Sequence, residues 1–213
     1  MAVLPIRWQR AQEFRRRMYE KVGLFQVLAN KTVLDIGCGS GGDASLIAQV
    51  AQRVVAADIE KSGDWPMFAE KKITFAVADA HQLPYKNGSF DGVFARDLLH
   101  HVTDVEKVLR EMRRVVKDGG FVIIVEGNRY NPIFYLHMTL YLGHNHFTQE
   151  ELKKLINKTF GESRFWHLES HFLPNDSYLV NYLWNKVEAI LNVVLPTPFR
   201  SYNIALAKKV TVK

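Results

Sequence analysis

Cysteine is almost missing from this chain. Cys38 is the only one among 213 residues, so no internal disulfide can staple the fold and a reducing, cytoplasmic setting is expected. The first residues lack the apolar core and small-residue cleavage site of a signal peptide. No uninterrupted apolar run is long enough to cross a bilayer. The most apolar stretch, residues 178–195, is broken by Asn181, Asn185, Lys186 and Glu188, each costly in hydrocarbon, and it reads instead as a helix buried on one side. Internal repeats and low-complexity segments are also missing.

Hydrophobic residues make up 47% and charged residues 23%, the balance of an ordinary folded domain, which sets aside disordered and fibrous classes. The length fits a single elaborated domain better than two independent ones. The formal net charge is +6, a field that attracts nucleic acid, anionic lipid or an acidic substrate. Much of it lies in the first predicted helix, where Arg7, Arg10, Arg15, Arg16, Arg17 and Lys21 have only Glu13 and Glu20 nearby. A solvated helix face is the preferred reading. Nucleic acid is not favoured as a partner, because no RNA-binding module is recognisable. Peripheral membrane contact stays open, as does the oligomeric state.

Apolar runs at residues 32–36, 53–57, 73–77, 92–95 and 121–125 have the length and composition of buried strands. Between them, Ala44, Ile47, Val50 and Ala51 fall on one side of a helix over 43–51, and Val105, Val108, Leu109, Met112 and Val115 repeat at helical spacing. Thr103 with Glu106 predicts a capping box at the start of that second helix, and Gly119-Gly120 its end. Residues 60–72, with Gly63 and Pro66, leave room only for a short or irregular helix. Strands alternating with helices predict right-handed crossovers and a mostly parallel sheet covered on both faces, with ligands bound beyond the carboxyl ends of the strands. Past the fifth strand the alternation stops. An aromatic-rich stretch, 128–147, precedes a helix opened by Thr148 and Glu151 and closed near Gly161; 164–172 and 203–210 are predicted strands flanking the helix around 178–195.

The strongest local signal is Val33-Leu34-Asp35-Ile36-Gly37-Cys38-Gly39-Ser40-Gly41-Gly42, a strand running into a glycine-rich turn and a helix. Gly37, Gly39 and Gly42 satisfy the dinucleotide fingerprint literally, so spacing alone leaves a nicotinamide or flavin ligand open. Asp35 weighs against one: about 5 Å from a pyrophosphate, at an effective dielectric of about 20, its carboxylate is repelled by about 3 kcal/mol. A ligand with cationic groups and no phosphate suits it better, leaving the turn amides for a carboxylate. The next strand ends on Asp58, where an acid accepts both hydroxyls of a ribose. The third closes on Ala78-Asp79-Ala80, where Asp79 suits an adenine amino group and the Ala80 N–H a ring nitrogen. Each acid alone is more often a helix cap, but at three successive strand ends they outline one nucleoside site.

These residues resemble the class I S-adenosylmethionine-dependent methyltransferases, in the broad small-molecule branch that includes quinone-biosynthesis methyltransferases. The resemblance covers residues 32–126. It takes in Leu83-Pro84-Tyr85-Lys86-Asn87-Gly88-Ser89-Phe90-Asp91, Leu98-Leu99-His100-His101-Val102, and Arg113 through Gly120. It implies S-adenosylmethionine as cofactor, with Asp35, Gly37 and Gly39 at its methionine part, Asp58 and Ile59 at ribose and adenine, Asp79 and Ala80 at adenine, and Arg96 beside the sulfonium through its backbone carbonyl. The expected fold is α/β: a Rossmann-like seven-stranded, mostly parallel sheet with helices on both faces. A helical cap is expected over residues 1–30, and a methyltransferase domain over 31–213 with a lid at 128–148.

Methyl transfer from a sulfonium needs alignment above all, and a base only where the nucleophile carries a proton. His101, with His100 beside it, is the candidate base, packing at a helix start being the plainer reading for either. Glu126 reads as a second base or a simple polar strand end. His144 and His146 are ligand types, but their i, i+2 spacing suits no common helical metal motif and no metal is expected. Arg96-Asp97-Leu98-Leu99 lacks the Asn/Asp-Pro-Pro-aromatic signature of enzymes that methylate planar amino groups, and the cysteines of arsenite methyltransferases are missing. A small-molecule or lipid-like acceptor offering oxygen, carbon or a small amine is expected, with residues 128–142 and the first helix as walls of its site. The alternatives are an RNA-directed enzyme or a non-catalytic cofactor-binding partner.

Overall fold

The computed structural model describes residues 5–132, 135–141, 143, 146–170 and 177–210. Parts of the expected lid, residues 133–134, 142 and 144–145, lie outside the described residues, as do 171–172 of the sixth predicted strand.

Two helices, α1 (Ile6–Lys21) and α2 (Leu24–Leu28), precede β1 (Thr32–Ile36), α3 (Gly42–Ala48), β2 (Arg53–Asp58), the single turn α4 (Trp65–Phe68), β3 (Ile73–Val77) and β4 (Phe90–Arg96). A 3-10 turn (Leu99–His101), α5 (Val105–Val115) and β5 (Val116–Gly127) follow, then a π-helical segment (Tyr135–Tyr141), α6 (Gln149–Phe160), β6 (Arg164–Leu168), α7 (Tyr178–Val194), a second 3-10 turn (Thr197–Phe199) and β7 (Tyr202–Lys208). All seven strands share one sheet, ordered β3-β2-β1-β4-β5-β7-β6. The β1–β2, β1–β4, β2–β3 and β4–β5 pairs are parallel, and β7 enters antiparallel between β5 and β6. The order in which strands are added reverses between β1 and β4, which opens a crevice at their carboxyl ends.

Strand alternation divides the core. Val33 and Phe94 join Phe14, Met18 and Ile47 beneath α1 and α3, while Leu34 and Val93 join Leu109, Met112 and Ile156 beneath α5 and α6. The capping box of α6 is formed as expected: Thr148 Oγ1 accepts the Glu151 N–H at 3.2 Å and Glu151 Oε2 accepts the Thr148 N–H at 2.8 Å.

Three expectations need correction. The N-cap of α5 is Asp104, whose Oδ1 accepts the Lys107 N–H at 2.9 Å, because Thr103 Oγ1 lies 3.4 Å from His81 Nε2 instead. That helix stops at Val115, short of Gly119-Gly120. The two glycines are captured by the sheet, where Gly119 N–H donates to the Lys209 carbonyl and Lys209 N–H to the Gly120 carbonyl, both at 2.9 Å. The helix around 178–195 does form, but its apolar side is not the buried one: Glu188 is its buried residue among those described.

The basic face of α1 is only partly solvated. Gln12 Nε2 donates to the Gly42 carbonyl at 2.7 Å and Arg16 Nη2 to Gln49 Oε1 at 2.6 Å, so α1 is tied to α3. Arg15 is drawn in with them, its side chain 13% exposed and its Nε 3.7 Å from Asp43 Oδ2.

Candidate active site

A cleft of about 560 Å³ lies beyond the carboxyl ends of β1 to β4. Gly37, Gly39, Asp58, Ile59, Asp79, Ala80 and His101 all line it; Asp35 and Arg96 do not. Gly37 is required by contact as well as by its φ of +70°, since a Cβ there would stand 2.8 Å from Leu98 Cδ1, and Leu98 itself lines the cleft. The glycine turn is then fixed from two sides. Asp58 Oδ2 accepts the Gly39 N–H at 2.7 Å, and Trp65 Nε1 donates to the Gly39 carbonyl at 2.8 Å. The Trp65 ring stacks on Phe75 at 5.0 Å, which is the use of the short α4.

At the far wall, Asp79 Oδ1 accepts the His81 N–H at 2.8 Å and faces His81 Nδ1 at the same distance. The backbone hydrogen bond, followed by the side-chain one, holds the Asp79 carboxyl below the usual carboxylate range. Ile59, 66% exposed, offers an apolar edge beside it. His81, Asp97, Val102 and Thr103 also line the cleft. Sequence reasoning missed them, although Asp97 follows the fourth strand directly and His81 follows Asp79-Ala80.

The reason Asp35 and Arg96 stand apart is strand parity. Asp35 shares the face of Val33, and Arg96 that of Phe94, so both point under α1 and α3 rather than into the cleft. There they meet Asp43, whose Oδ2 accepts Arg96 Nε at 2.9 Å and whose other oxygen accepts the Tyr19 hydroxyl. Arg96 also pairs with Asp97. Burial alone would raise the Asp43 carboxyl, but Arg15 and Arg96 outweigh it and hold it low. Burial, and next the Asp43 charge, push the Asp35 carboxyl well up.

Behind His101 stands a buried pair. Glu126 Oε1 accepts the Leu99 N–H at 2.6 Å, and its Oε2 lies 2.7 Å from His100 Nδ1. Both side chains are 1% exposed. Burial lowers the basicity of the His100 imidazole, yet the Glu126 hydrogen bond and charge prevail and its pKa is raised. The His100 ring centroid lies 4.0 Å from that of His101 and 4.1 Å from that of His146. One donor atom each from His100, Glu126 and His146 lie within 4.8 Å of one another, a grouping that could hold a metal ion. The sequence pairing of His146 with His144 gave no sign of it, because its neighbours come from β5 and the turn after β4; His144 lies outside the described residues.

The family model "Methyltransferase domain" matches residues 34–124. The 27-O-demethylrifamycin SV methyltransferase of Amycolatopsis mediterranei is 34% identical over 106 residues, 46% of this chain and 39% of that relative. Two further curated relatives are spanned over 41% and 35% of their length. The demethylmenaquinone methyltransferase of Oceanobacillus iheyensis is 31% identical over 166 residues, 74% of this chain and 68% of that relative. A SAM dependent methyltransferase from Archaeoglobus fulgidus shares the fold with a TM-score of 0.67 at 20% identity, over 93% of this chain and 94% of that one. Similarity that runs through the glycine turn and all three acidic strand ends, and extends over most of a relative, is a matter of descent as well as of fold: the chain belongs to the class I S-adenosylmethionine-dependent methyltransferases.

Proposed function

We propose that this chain binds S-adenosylmethionine in the cleft beyond β1 to β4 and transfers its methyl group to a small-molecule or lipid-like acceptor through oxygen, carbon or a small amine. The observation that carries this reading is the convergence of Gly39, Asp58, Asp79, Ala80 and His101 on one cleft. Buried polar atoms fit the cofactor too. Beneath the cleft, Asp35 Oδ2 and Arg15 Nη1 have no hydrogen-bond partner among the described residues, and their charges suit the ammonium and carboxylate of a methionine end that reaches past the glycine turn under α1. A bound ammonium beside Asp35 would oppose the burial and the Asp43 charge that push its carboxyl up.

Asp58 would receive the ribose hydroxyls with the lone pairs that Gly39 leaves over, and Asp79 the adenine amino group with its second oxygen. Arg96, held by Asp43 and Asp97, positions the end of β4. The cofactor, when bound, supplies an electrophilic methyl group on an already activated leaving group. His101 would take a proton from the acceptor where one must leave, and the Glu126 carboxylate favours positive charge on His100 beside it. Residues 1–30 act as a cap and 128–148 as a lid over the acceptor, supported by the exposed Tyr135, Leu136, Leu140 and Tyr141. A cytoplasmic location belongs to the same reading, supported by the single, buried Cys38. The engagement of Arg15 and Arg16 within the fold weighs against an RNA-directed role.

Titration calorimetry with S-adenosylmethionine, its demethylated product, NAD and FAD tests the reading. The first two should bind and the dinucleotides should not. Tight NAD binding with no response to S-adenosylmethionine would overturn it.

A further inference from the structure

Helix α7 is amphipathic in the reverse of the usual sense. Its polar side faces the protein: Glu188 Oε1 accepts from Lys21 Nζ at 3.3 Å and from Ser170 Oγ at 3.4 Å. Asn192 Nδ2 donates to the Glu169 carbonyl at 2.6 Å, and its Oδ1 accepts the Glu169 N–H at 3.1 Å. Its apolar side faces out. Leu179, Leu183, Val187, Ile190, Val193 and Val194 are between 42% and 82% exposed, and at 3.6 residues per turn they fall within an arc of about 120° opposite Glu188 and Asn192. Single exposed aliphatic residues are ordinary; six on one ridge mark a surface that meets something apolar.

A second set of apolar side chains is exposed after β5. Tyr135, Leu136, Leu140 and Tyr141 of the π-helical segment are between 43% and 80% exposed. The chain leading into that segment is held to the 3-10 turn that follows α7 by Asn131 Nδ2, which donates to the carbonyl of Phe199 at 2.8 Å. Phe199 is itself 43% exposed.

Charge decides what covers this surface. Residues 127–148 and 177–210 contain a single acid, Glu188, and it is buried; Asp176, just before α7, lies outside the described residues. The exposed side of α7 therefore carries Lys186 and no carboxylate. A second copy docked through the same face would bring its Lys186 to the other's, with no acid to meet them among the described residues of that face. A bilayer with anionic headgroups receives the aliphatic ridge among its acyl chains and Lys186 at its headgroups. The aromatic residues are placed to match: Tyr182, beneath Lys186 Nζ at 5.4 Å, and Trp184 flank the ridge on its two sides, as interfacial anchors do. No helix among the described residues is long and apolar enough to cross a membrane.

We infer that α7 is an interfacial anchor that docks the protein on anionic lipid, its apolar ridge lying in the plane of the membrane. This inference needs only the geometry of α7 and stands whether or not the methyl-transfer reading does.

Sedimentation of the full chain with phosphatidylcholine vesicles, with and without phosphatidylglycerol, tests it. The protein should partition onto the phosphatidylglycerol vesicles, less so onto phosphatidylcholine alone, and less at high salt. Leu183→Asp with Ile190→Asp should weaken partition by about tenfold or more, with the melting temperature unchanged because both side chains are exposed. Failure to bind the anionic vesicles, indifference to phosphatidylglycerol, or unchanged partition of the double variant overturns the assignment. So does a wild-type dimer in size-exclusion chromatography that the double variant converts to monomer, which would give the ridge to a second copy. If the double variant fails to fold, Trp184 fluorescence decides: emission must shift to the blue on anionic vesicles and lose that shift in Trp184→Phe, and no shift overturns the anchor.

Discussion

The part of the molecule built on β1 to β4 and the part that follows β5 use the same residue types in opposite senses. In the first, aliphatic side chains pack inward against helices, and Asp58 and Asp79 are presented at an open cleft. In the second, the aliphatic residues of α7 are turned outward, and the carboxylates of Glu169 and Glu188 are buried as structural acceptors. An apolar stripe thus marks a face that avoids water without saying whether its own sheet, a ligand or another phase will cover it. An acid likewise becomes a ligand group or a brace according to what its strand position sets before it.

The sharpest way to break the comparison is inside the first region, at Asp43, an acid buried under α1 and α3 as a brace. Asp43→Ala would leave Arg96 and Arg15 without their shared partner, and should cost about 3–5 kcal/mol of stability in urea unfolding. Because Asp43 is held low, its contribution is present above the unfolded carboxyl value of about 4 and is lost as pH falls through the lower folded value. A small change would mean that the network merely fills space.

His101→Ala should lower turnover about 100-fold with cofactor affinity intact, provided chemistry limits the rate. Unchanged turnover would return His101 to packing. Asp58→Ala should weaken S-adenosylmethionine binding by about 2 kcal/mol in calorimetry, since the change removes hydroxyl acceptors and frees the Gly39 amide together. Normal binding would place the ribose elsewhere.

The His100–Glu126 pair predicts a subtler effect. With the folded pKa of His100 raised, its stabilisation is complete below the unfolded value of about 6.5 and fades as pH rises through the folded value. The urea midpoint of wild type should therefore converge on that of His100→Gln as pH increases, and a constant gap would argue against charge in the pair. The smallest effect belongs to the second region. Tyr135→Ala with Tyr141→Ala should raise the acceptor's KM several-fold while S-adenosylmethionine affinity stays within a few-fold, as separate walls require. Collapse of both affinities together with thermal stability would make the segment core.

Much of this was legible beforehand, and for local reasons. A five-residue apolar strand, a glycine-rich turn and acids at successive strand ends are set by neighbours in sequence, so the order of elements and most of the cleft followed from them. The capping box at Thr148 was readable for the same reason, whereas the one at Thr103 was not, because a contact with His81 from another loop redirected the hydroxyl.

What the chain alone determined is thus the set of strands, the glycine turn and the acids that close β2 and β3. Only the tertiary structure decided that Asp35 and Arg96 lie beneath the cleft rather than in it, that Glu126 backs His100, and that α7 turns its apolar face outward. Each of these depends on which of two faces a neighbouring element covers, and a residue's own periodicity is identical for both.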